Sequence, residues 1–338
     1  RHLGINFDYA IFTNLTPEHL QAHGGFENYK EAKGIFFQHL SKRKNKKLPF
    51  GENGKMIKVP KISIINLADK QAGYFLQFQA DKKVGFYLRE NKDIHSYYYS
   101  KIDRELIAKD LRVSPTGTIF KLNEVEINLR ILGEFNVANA LPAIAVGLEE
   151  GISLEKIKKS LESIKKIPGR MEFIDQGQNF WVMVDYAPEV ASMKNLYNAV
   201  KTLTEYREDQ KTIHVLGSCG GGRDKDRRPV LGRLAGKNAD FVIVTNEDPY
   251  DEDPQDIINQ VATGAKQVGK KEGENLFKIL DRKKAIAKAL NLADKDDLVL
   301  ITGKGAEQKM AVKNGKYIDW DDRQVIKEIL NQVKDKKR

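Results

Sequence analysis

The chain has 338 residues, 41% hydrophobic and 31% charged, with 57 Lys+Arg against 47 Asp+Glu for a formal net charge of +10. That length suits two domains at roughly 100–200 residues each, and the apolar share is too high for a disordered chain. One Cys excludes a disulfide framework and a Cys-based zinc site and suits a reducing compartment. No apolar run reaches the ~20 residues of a membrane span, and the start, Arg1-His2-Leu3-Gly4, is not a signal peptide.

The first stretch reads strand, loop, helix. Phe7 to Thr13 is β-rich, Thr16-Pro17 is a helix start, and Gly24-Gly25 is a break. A helix follows from about Phe26 to Leu40, with Phe26, Tyr29, Phe36, Phe37 and Leu40 at helical spacing. Residues 41–58 are basic and turn-rich and read as a solvated surface loop; no stacking aromatics alternate with the charges, which weighs against a nucleic-acid patch. Short β-like runs lie at 62–66, 74–79, 84–88 and 95–99, and a hairpin-like set at 118–122 and 125–131. Helices are expected over about 137–150, with Asn136 as N-cap and Gly151 as C-cap, and over about 154–164. Beyond Pro168-Gly169 the pattern alternates. Strands are expected at 179–185, 212–217, 240–245 and 297–302, with helices near 190–203, 228–236, 254–268 and 283–292. That is a doubly wound α/β unit, with the domain boundary near Ile167.

Six constellations can carry chemistry. Glu18-His19 follows a strand end, where an imidazole and a carboxylate can bind Mg²⁺ or position phosphates, or merely begin an exposed helix. Lys33 falls between Tyr29 and Phe37 on the apolar stripe of its helix, so it either snorkels or is paired or modified. Asn139 sits in the first turn of its helix, where an amide can read an adenine edge. Arg170, at the domain break, can serve a ligand in a cleft or be a linker residue. Gly217-Ser218-Cys219-Gly220-Gly221-Gly222-Arg223-Asp224-Lys225-Asp226-Arg227-Arg228 runs from a strand through a glycine loop to a helix start, an anion site reinforced by four basic residues, with Cys219 a small buried side chain. Thr245–Tyr250 and Thr302–Glu307 lie at the carboxyl ends of parallel strands and should converge on one crevice. No Gly-Lys-Ser/Thr, Ser-His-Asp signature or His-Glu-x-x-His occurs.

Together NLTPEHLQAHGGFENYKEAK, GEFNVANALPAIAVGL, PGRMEFIDQGQNFWVMVDYA, GSCGGGRDKDRRP, NEDPYDEDP, DRKKAIAKAL and GKGAE resemble the Mur ligases, in that family's order and over essentially the whole chain. Within the family the resemblance is to the branch that adds the third stem-peptide residue. It implies an α/β chain in which 1–167 is the remainder of a central ATPase domain and 168–338 a Rossmann-like C-terminal domain that binds the amino acid. A Walker loop and a UDP-binding domain would precede Arg1. It implies a cytoplasmic, monomeric, ATP- and Mg²⁺-dependent amide ligase, with UDP-MurNAc-dipeptide and a diamino acid as partners, no nucleic acid and no membrane insertion. The +10 balance suits such anionic ligands.

By motif, Lys33 matches the family's carbamylated lysine and His19 a metal and phosphate-side ligand. Asn139, Arg170 and Asp185 match ATP contacts, with Lys225 and Arg227 on the same side. Arg1 matches an arginine that holds the nucleotide-peptide. Arg223, Glu247, Asp248, Pro249, Tyr250, Gly303 and Glu307 match the amino-acid pocket. Three segments depart from the pattern. DYAHTP reads Asp185-Tyr186-Ala187-Pro188-Glu189, GKGHE has Ala306 for its His, and DNPR reads Glu247-Asp248-Pro249-Tyr250. Without that Arg the distal carboxylate of meso-diaminopimelate loses its clamp, and Glu247 and Asp248 would favour an ammonium, so L-lysine is expected over diaminopimelate. Other readings are a different Mur ligase, a folylpolyglutamate-synthase-like ligase, and a non-catalytic Mur-like subunit.

Overall fold

The computed structural model describes residues 4–17, 23–50, 54–114, 116–204 and 209–336. Arg1, Glu18 and His19 lie outside them, as does the helix start expected after Pro17. The chain divides into two compact units, Arg1–Lys165 and Lys166–Arg338. Among the described residues no helix is long and apolar enough to cross a membrane.

The first unit is a six-stranded sheet. In chain order its elements are β1 (Tyr9–Phe12), α1 (Phe26–Lys42), a hairpin of β2 (Lys47–Phe50) and β3 (Lys55–Lys58), β4 (Ile62–Asn66), α2 (Ala72–Leu76), β5 (Lys82–Leu88), α3 (Lys92–Tyr98), β6 (Arg104–Ser114), β7 (Gly117–Leu122), β8 (Val125–Leu129), α4 (Glu134–Glu149) and α5 (Leu154–Ser163). The sheet order is β1-β4-β5-β6-β7-β8, parallel through β6 and antiparallel thereafter. Side chains alternate along a strand, so β4 and β5 feed two cores. Ile62, Ile64, Val84 and Phe86 join α4 on one face. Ile65 and Tyr87 join Ala10, Phe12, α1 and α2 on the other. Burial on both faces is why these strands read as unbroken apolar runs.

Four expectations need correction here. The runs at 74–79 and 95–99 are helical. Ala72, Phe75 and Leu76 bury one side of α2, and Asn91 caps α3 by accepting from Asp93 N and Ile94 N. The 41–58 segment is no plain loop, since it contains the β2–β3 hairpin. Asn136 is not the N-cap of α4. The helix starts at Glu134 after Gly133, and buried Asn136 donates its Nδ2 to Leu132 O at 2.7 Å. Strand β6 went unread because it buries only Leu106 and Ala108 among many charged residues.

The second unit holds β9 (Glu172–Phe173), β10 (Trp181–Val184), α6 (Val190–Thr204), β11 (Thr212–Leu216), α7 (Arg227–Asn238), β12 (Phe241–Thr245), α8 (Pro254–Lys266), β13 (Leu276–Ile279), α9 (Arg282–Leu292), β14 (Leu298–Ile301), a hairpin of β15 (Lys309–Val312) and β16 (Lys316–Asp319), and α10 (Asp322–Lys336). Its sheet order is β13-β12-β11-β14-β10-β9, parallel except for the β9 edge. This is the doubly wound arrangement expected. β14 returns between β10 and β11, and the strand order reverses there. Val182, Ile213, Ile243 and Val299 pack against α9 and α10 on one face.

Phe120 is fully buried in the first unit's larger core. Phe120→Ala is expected to cost about 3–5 kcal/mol, whereas Ile35→Ala on the exposed side of α1 stays within about 0.5 kcal/mol. Urea unfolding of the two variants checks this.

Candidate functional site

In the second unit every parallel strand delivers its carboxyl end to one edge of the sheet. The loops after β10, β11, β12 and β14 meet there, as does the Pro168–Glu172 turn. Arg170 lies 4.5 Å above the Tyr186 ring, and Met171 N donates to Asp185 Oδ2 at 2.7 Å. Gly169 lies against the Gly305–Ala306 backbone so closely that a Cβ would sit 2.1 Å from Ala306 N. A Cβ on Gly303, whose φ is +107°, would fall 2.1 Å from Glu247 Oε2. Glycine is therefore required where the two strand-end loops touch. Met171, Ala187 and Tyr250, one in each of three loops, hold positive φ. Left-handed backbone of this kind gathers at ligand sites.

The charges of this crevice are largely matched from within. The Lys304 ammonium, 1% exposed, donates to both Asp248 carboxylate oxygens at 2.8 and 2.9 Å and pairs with Glu307 at 2.7 Å. Burial opposes the Lys304 charge, but the bonds to Asp248 and Glu307 outweigh it and raise its pKa. Asp248 also accepts from Ala311 N. Glu247 is buried and accepts from the Cys219 thiol at 2.9 Å. Burial raises the pKa of Glu247, and burial followed by Glu247's charge raises that of Cys219. Burial and then Glu307 push the Tyr186 phenol up to about 12.

The glycine loop is less basic in effect than its sequence. Lys225 pairs with Glu252 at 3.1 Å, and Arg228 pairs with the same carboxylate at 3.0 Å. Arg227 pairs with Glu189. Of the four basic residues only Arg223 rests on an aromatic face, 5.4 Å from the Tyr250 ring centre. Arg227 nevertheless keeps Nε and Nη2 buried without a hydrogen-bond partner, as does Ser218 with Oγ. Those atoms suit an anionic oxygen.

Beneath the loops Arg282 is fully buried. Its Nε and Nη2 donate to Asp322 at 2.8 and 2.7 Å, Nη1 to Asn246 O at 3.2 Å and Nη2 to Thr302 O at 2.8 Å. One guanidinium thus ties the loops after β12 and β14 to the start of α10. His214 lies next to it, on the face of β11 that meets α6, with Nδ1 2.5 Å from Tyr197 Oη and Nε2 2.9 Å from Thr302 Oγ1. Burial, and then the Arg282 charge, pull its pKa down to about 3.

In the first unit Lys33 and Asn139 lie on helices that cover opposite faces of the sheet, α1 and α4. The stripe of α1 buries Tyr29, Gly34, Phe37 and Leu40. Lys33 itself is exposed, so its expected place inside the apolar stripe is corrected, and its Nζ lies 5.3 Å from the Tyr29 ring centre. Asn139 is exposed on α4. Arg89, in the loop after β5, forms a double hydrogen bond with Glu134 at the start of α4. Among the described residues no group of three or more His, Cys, Asp or Glu could hold a metal ion.

The crevice thus unites Arg170, Asp185, Arg223, Arg227, Glu247, Asp248, Pro249, Tyr250, Gly303 and Glu307, with Lys225 at its rim. Sequence reasoning missed Lys304, Tyr186, Glu189, Glu252, Arg282 and Asp322. A Lys between two glycines at a strand end was the one readable signal; the others depend on which elements meet.

Two sheets with helices on both faces and loops gathered at the strand ends define a two-unit α/β protein. Residues 1–147 match the Mur ligase middle domain, and residues 169–305 match the Mur ligase, glutamate ligase domain. The chain belongs to the Mur ligase family. A UDP-N-acetylmuramoyl-L-alanyl-D-glutamate–2,6-diaminopimelate ligase of Halalkalibacterium halodurans is 34% identical over 333 residues, 97% of this chain and 61% of the relative. A UDP-N-acetylmuramyl-tripeptide synthetase of Roseiflexus sp. is 36% identical over 326 residues, 95% of this chain and 60% of the relative. A solved diaminopimelate ligase structure has a TM-score of 0.54 at 26% identity, covering 98% of this chain and 61% of that one. The chain therefore spans about three-fifths of the length of these relatives.

Arg282→Ala is expected to cost about 3–5 kcal/mol by stranding the Asp322 carboxylate, while the joint Arg282→Met, Asp322→Leu variant recovers most of it; denaturant titration checks both. His214 has a second, pH-dependent signature. The fold lowers its pKa from an ordinary value of about 6.5. Its stabilisation is complete above that pH and is lost as pH falls towards about 3, by up to about 1.4 kcal/mol per pH unit. His214→Gln should flatten this part of the acid-stability curve, as measured by urea midpoints at several pH values.

Proposed function

We propose that the protein is an ATP-dependent amide ligase of peptidoglycan synthesis that joins a diamino acid to UDP-MurNAc-L-Ala-D-Glu in the cytoplasm. The observation that carries this reading is the meeting of the Arg223, Glu247–Tyr250 and Gly303–Glu307 loops in one crevice. An acceptor carboxylate attacks the γ-phosphate of ATP, breaks the bond to the β-phosphate so that ADP leaves, and becomes an acyl phosphate. The amine of the incoming amino acid then attacks that carbonyl and displaces phosphate. Arg223 holds the amino acid's carboxylate, and the acidic Glu247 and Glu307 draw its ammonium end. Lys304 and Asp248, bound to each other, act as positioning residues that hold the two loops in register. In the second unit Arg170, Asp185 and Arg227 serve the nucleotide and its phosphates, with Lys225 supporting from the rim. Arg1 would hold the nucleotide-peptide.

Mg²⁺ would be held by His19 and by Lys33 as a carbamate, and when bound it offsets the charge of the approaching phosphates. Exposed Lys33 has no carboxylate partner among the described residues, so its amine is open to CO₂. Tyr250, standing where a clamping Arg would be, favours L-lysine over the diaminopimelate of the relatives' names.

The test is amino-acid-dependent phosphate release by the intact gene product that carries these residues, with UDP-MurNAc-dipeptide and L-lysine, L-ornithine or meso-diaminopimelate. Turnover with L-lysine first in rank is expected; release with a folate acceptor instead would overturn the reading. Arg223→Ala should raise KM for the amino acid about 10–100-fold and leave KM for ATP nearly unchanged. Tyr250→Arg should shift preference towards meso-diaminopimelate. Residues 1–338 alone, lacking a Gly-Lys-Ser/Thr loop, are expected to release no phosphate.

A further inference from the structure

The β2–β3 hairpin has no part in the ligase reading, and it sits in a strongly basic segment. Residues 41–58, which also include the end of α1 and the link to β2, hold six Lys and one Arg against Glu52, so six of the chain's ten net positive charges lie here; the hairpin strands themselves carry Lys47, Lys55 and Lys58. The base of the hairpin is fastened to the first unit. Lys58 pairs with Asp81 at 2.9 Å and Lys46 with Asp8 at 2.5 Å, while Asn45 Nδ2 donates to Val59 O at 2.8 Å. Beyond that base every residue from Lys47 to Pro49 and from Gly54 to Lys58 is exposed, including Leu48 at 49%, Met56 at 55% and Ile57 at 39%.

The register places Leu48 opposite Ile57 on one face, and Pro49 opposite Met56 on the other with Lys47 and Lys58. Apolar and cationic side chains therefore share both faces. A two-stranded hairpin with no core beneath it gains little from its own apolar residues in water. It gains from a medium that is apolar inside and anionic at its surface.

We propose that this hairpin docks the protein peripherally on an anionic lipid surface, with Leu48, Met56 and Ile57 entering the interface and the lysines facing the headgroups. Charge complementarity selects this occupant. Lysine is a compact point charge suited to a diffuse anionic surface, whereas bidentate reading of nucleic-acid phosphates favours arginine, and only Arg43 is present. Each cation near such a surface raises partitioning about fivefold, and the effect fades with added salt. The hairpin leaves the amino end of β4. Within the first unit it therefore lies at the edge opposite the carboxyl strand ends, so docking leaves those ends open. The proposal is independent of the ligase reading.

The test is co-sedimentation of residues 1–338 with vesicles of phosphatidylglycerol and phosphatidylcholine in equal parts, and with phosphatidylcholine alone. The expected result is binding to the mixed vesicles only, reversed by high salt. Leu48→Ser with Met56→Ser, and Lys47→Glu with Lys55→Glu, should each weaken it at least tenfold. All four positions are exposed, and circular dichroism melts should confirm an unchanged fold. No sedimentation with anionic vesicles, equal binding to both, or binding untouched by the four substitutions would overturn the proposal. So would hairpin-dependent binding of RNA or polyglutamate in place of vesicles.

Discussion

A parallel sheet covered by helices on both faces must be apolar on both, and each unit obeys that constraint. Polar chemistry is then excluded from the faces and displaced to the strand ends. In the second unit the consequence is direct: β10, β11, β12 and β14 run the same way, so their loops share one edge. Return of β14 between β10 and β11 opens the strand order at that point, and the glycine-rich and acidic segments gather around it. The crevice follows from the direction of the strands before any side chain in it is considered.

Within that crevice, electrostatic matching decides which groups remain for a ligand. A count of cations along the glycine loop suggests a strongly positive site. Glu189 and Glu252 answer three of them, and Lys304 answers Asp248 and Glu307. Among the donors what remains is Arg223 over Tyr250, with unpartnered atoms on Arg227 and Ser218. Specific recognition is better served by this arrangement than by a broad positive field. The paired groups hold loop geometry, and a small number of oriented donors does the selecting.

The Arg282–Asp322 pair below the loops shows how that geometry is kept. Asn246 O and Thr302 O are strand-end carbonyls that the sheet ladder no longer satisfies. A buried guanidinium meets both and is neutralised by the first residue of α10. The long C-terminal helix is thereby tied to the site. The hairpin of the first unit follows the opposite logic, with Lys46 and Lys58 matched at its base and Lys47 and Lys55 exposed on its strands.

The sequence by itself determined the alternation of strands and helices beyond Ile167, the amphipathic α1, α4 and α5, and the order of the strand-end motifs. Each depends on local periodicity or on short contiguous motifs. It also identified the family, through motifs that are short and contiguous. Only the tertiary structure decided the rest. Helices α2 and α3 were read as strands because short apolar runs look alike in either form, and β6 was missed because its charges hide its pattern. That Lys33 is exposed, that Asp248 belongs to Lys304 and that Arg282 clamps two loops depends on which elements pack together. Asp248 and Lys304 are 56 residues apart. No local pattern records a pairing at that distance, because the partner is selected by the fold and not by the neighbours in the chain.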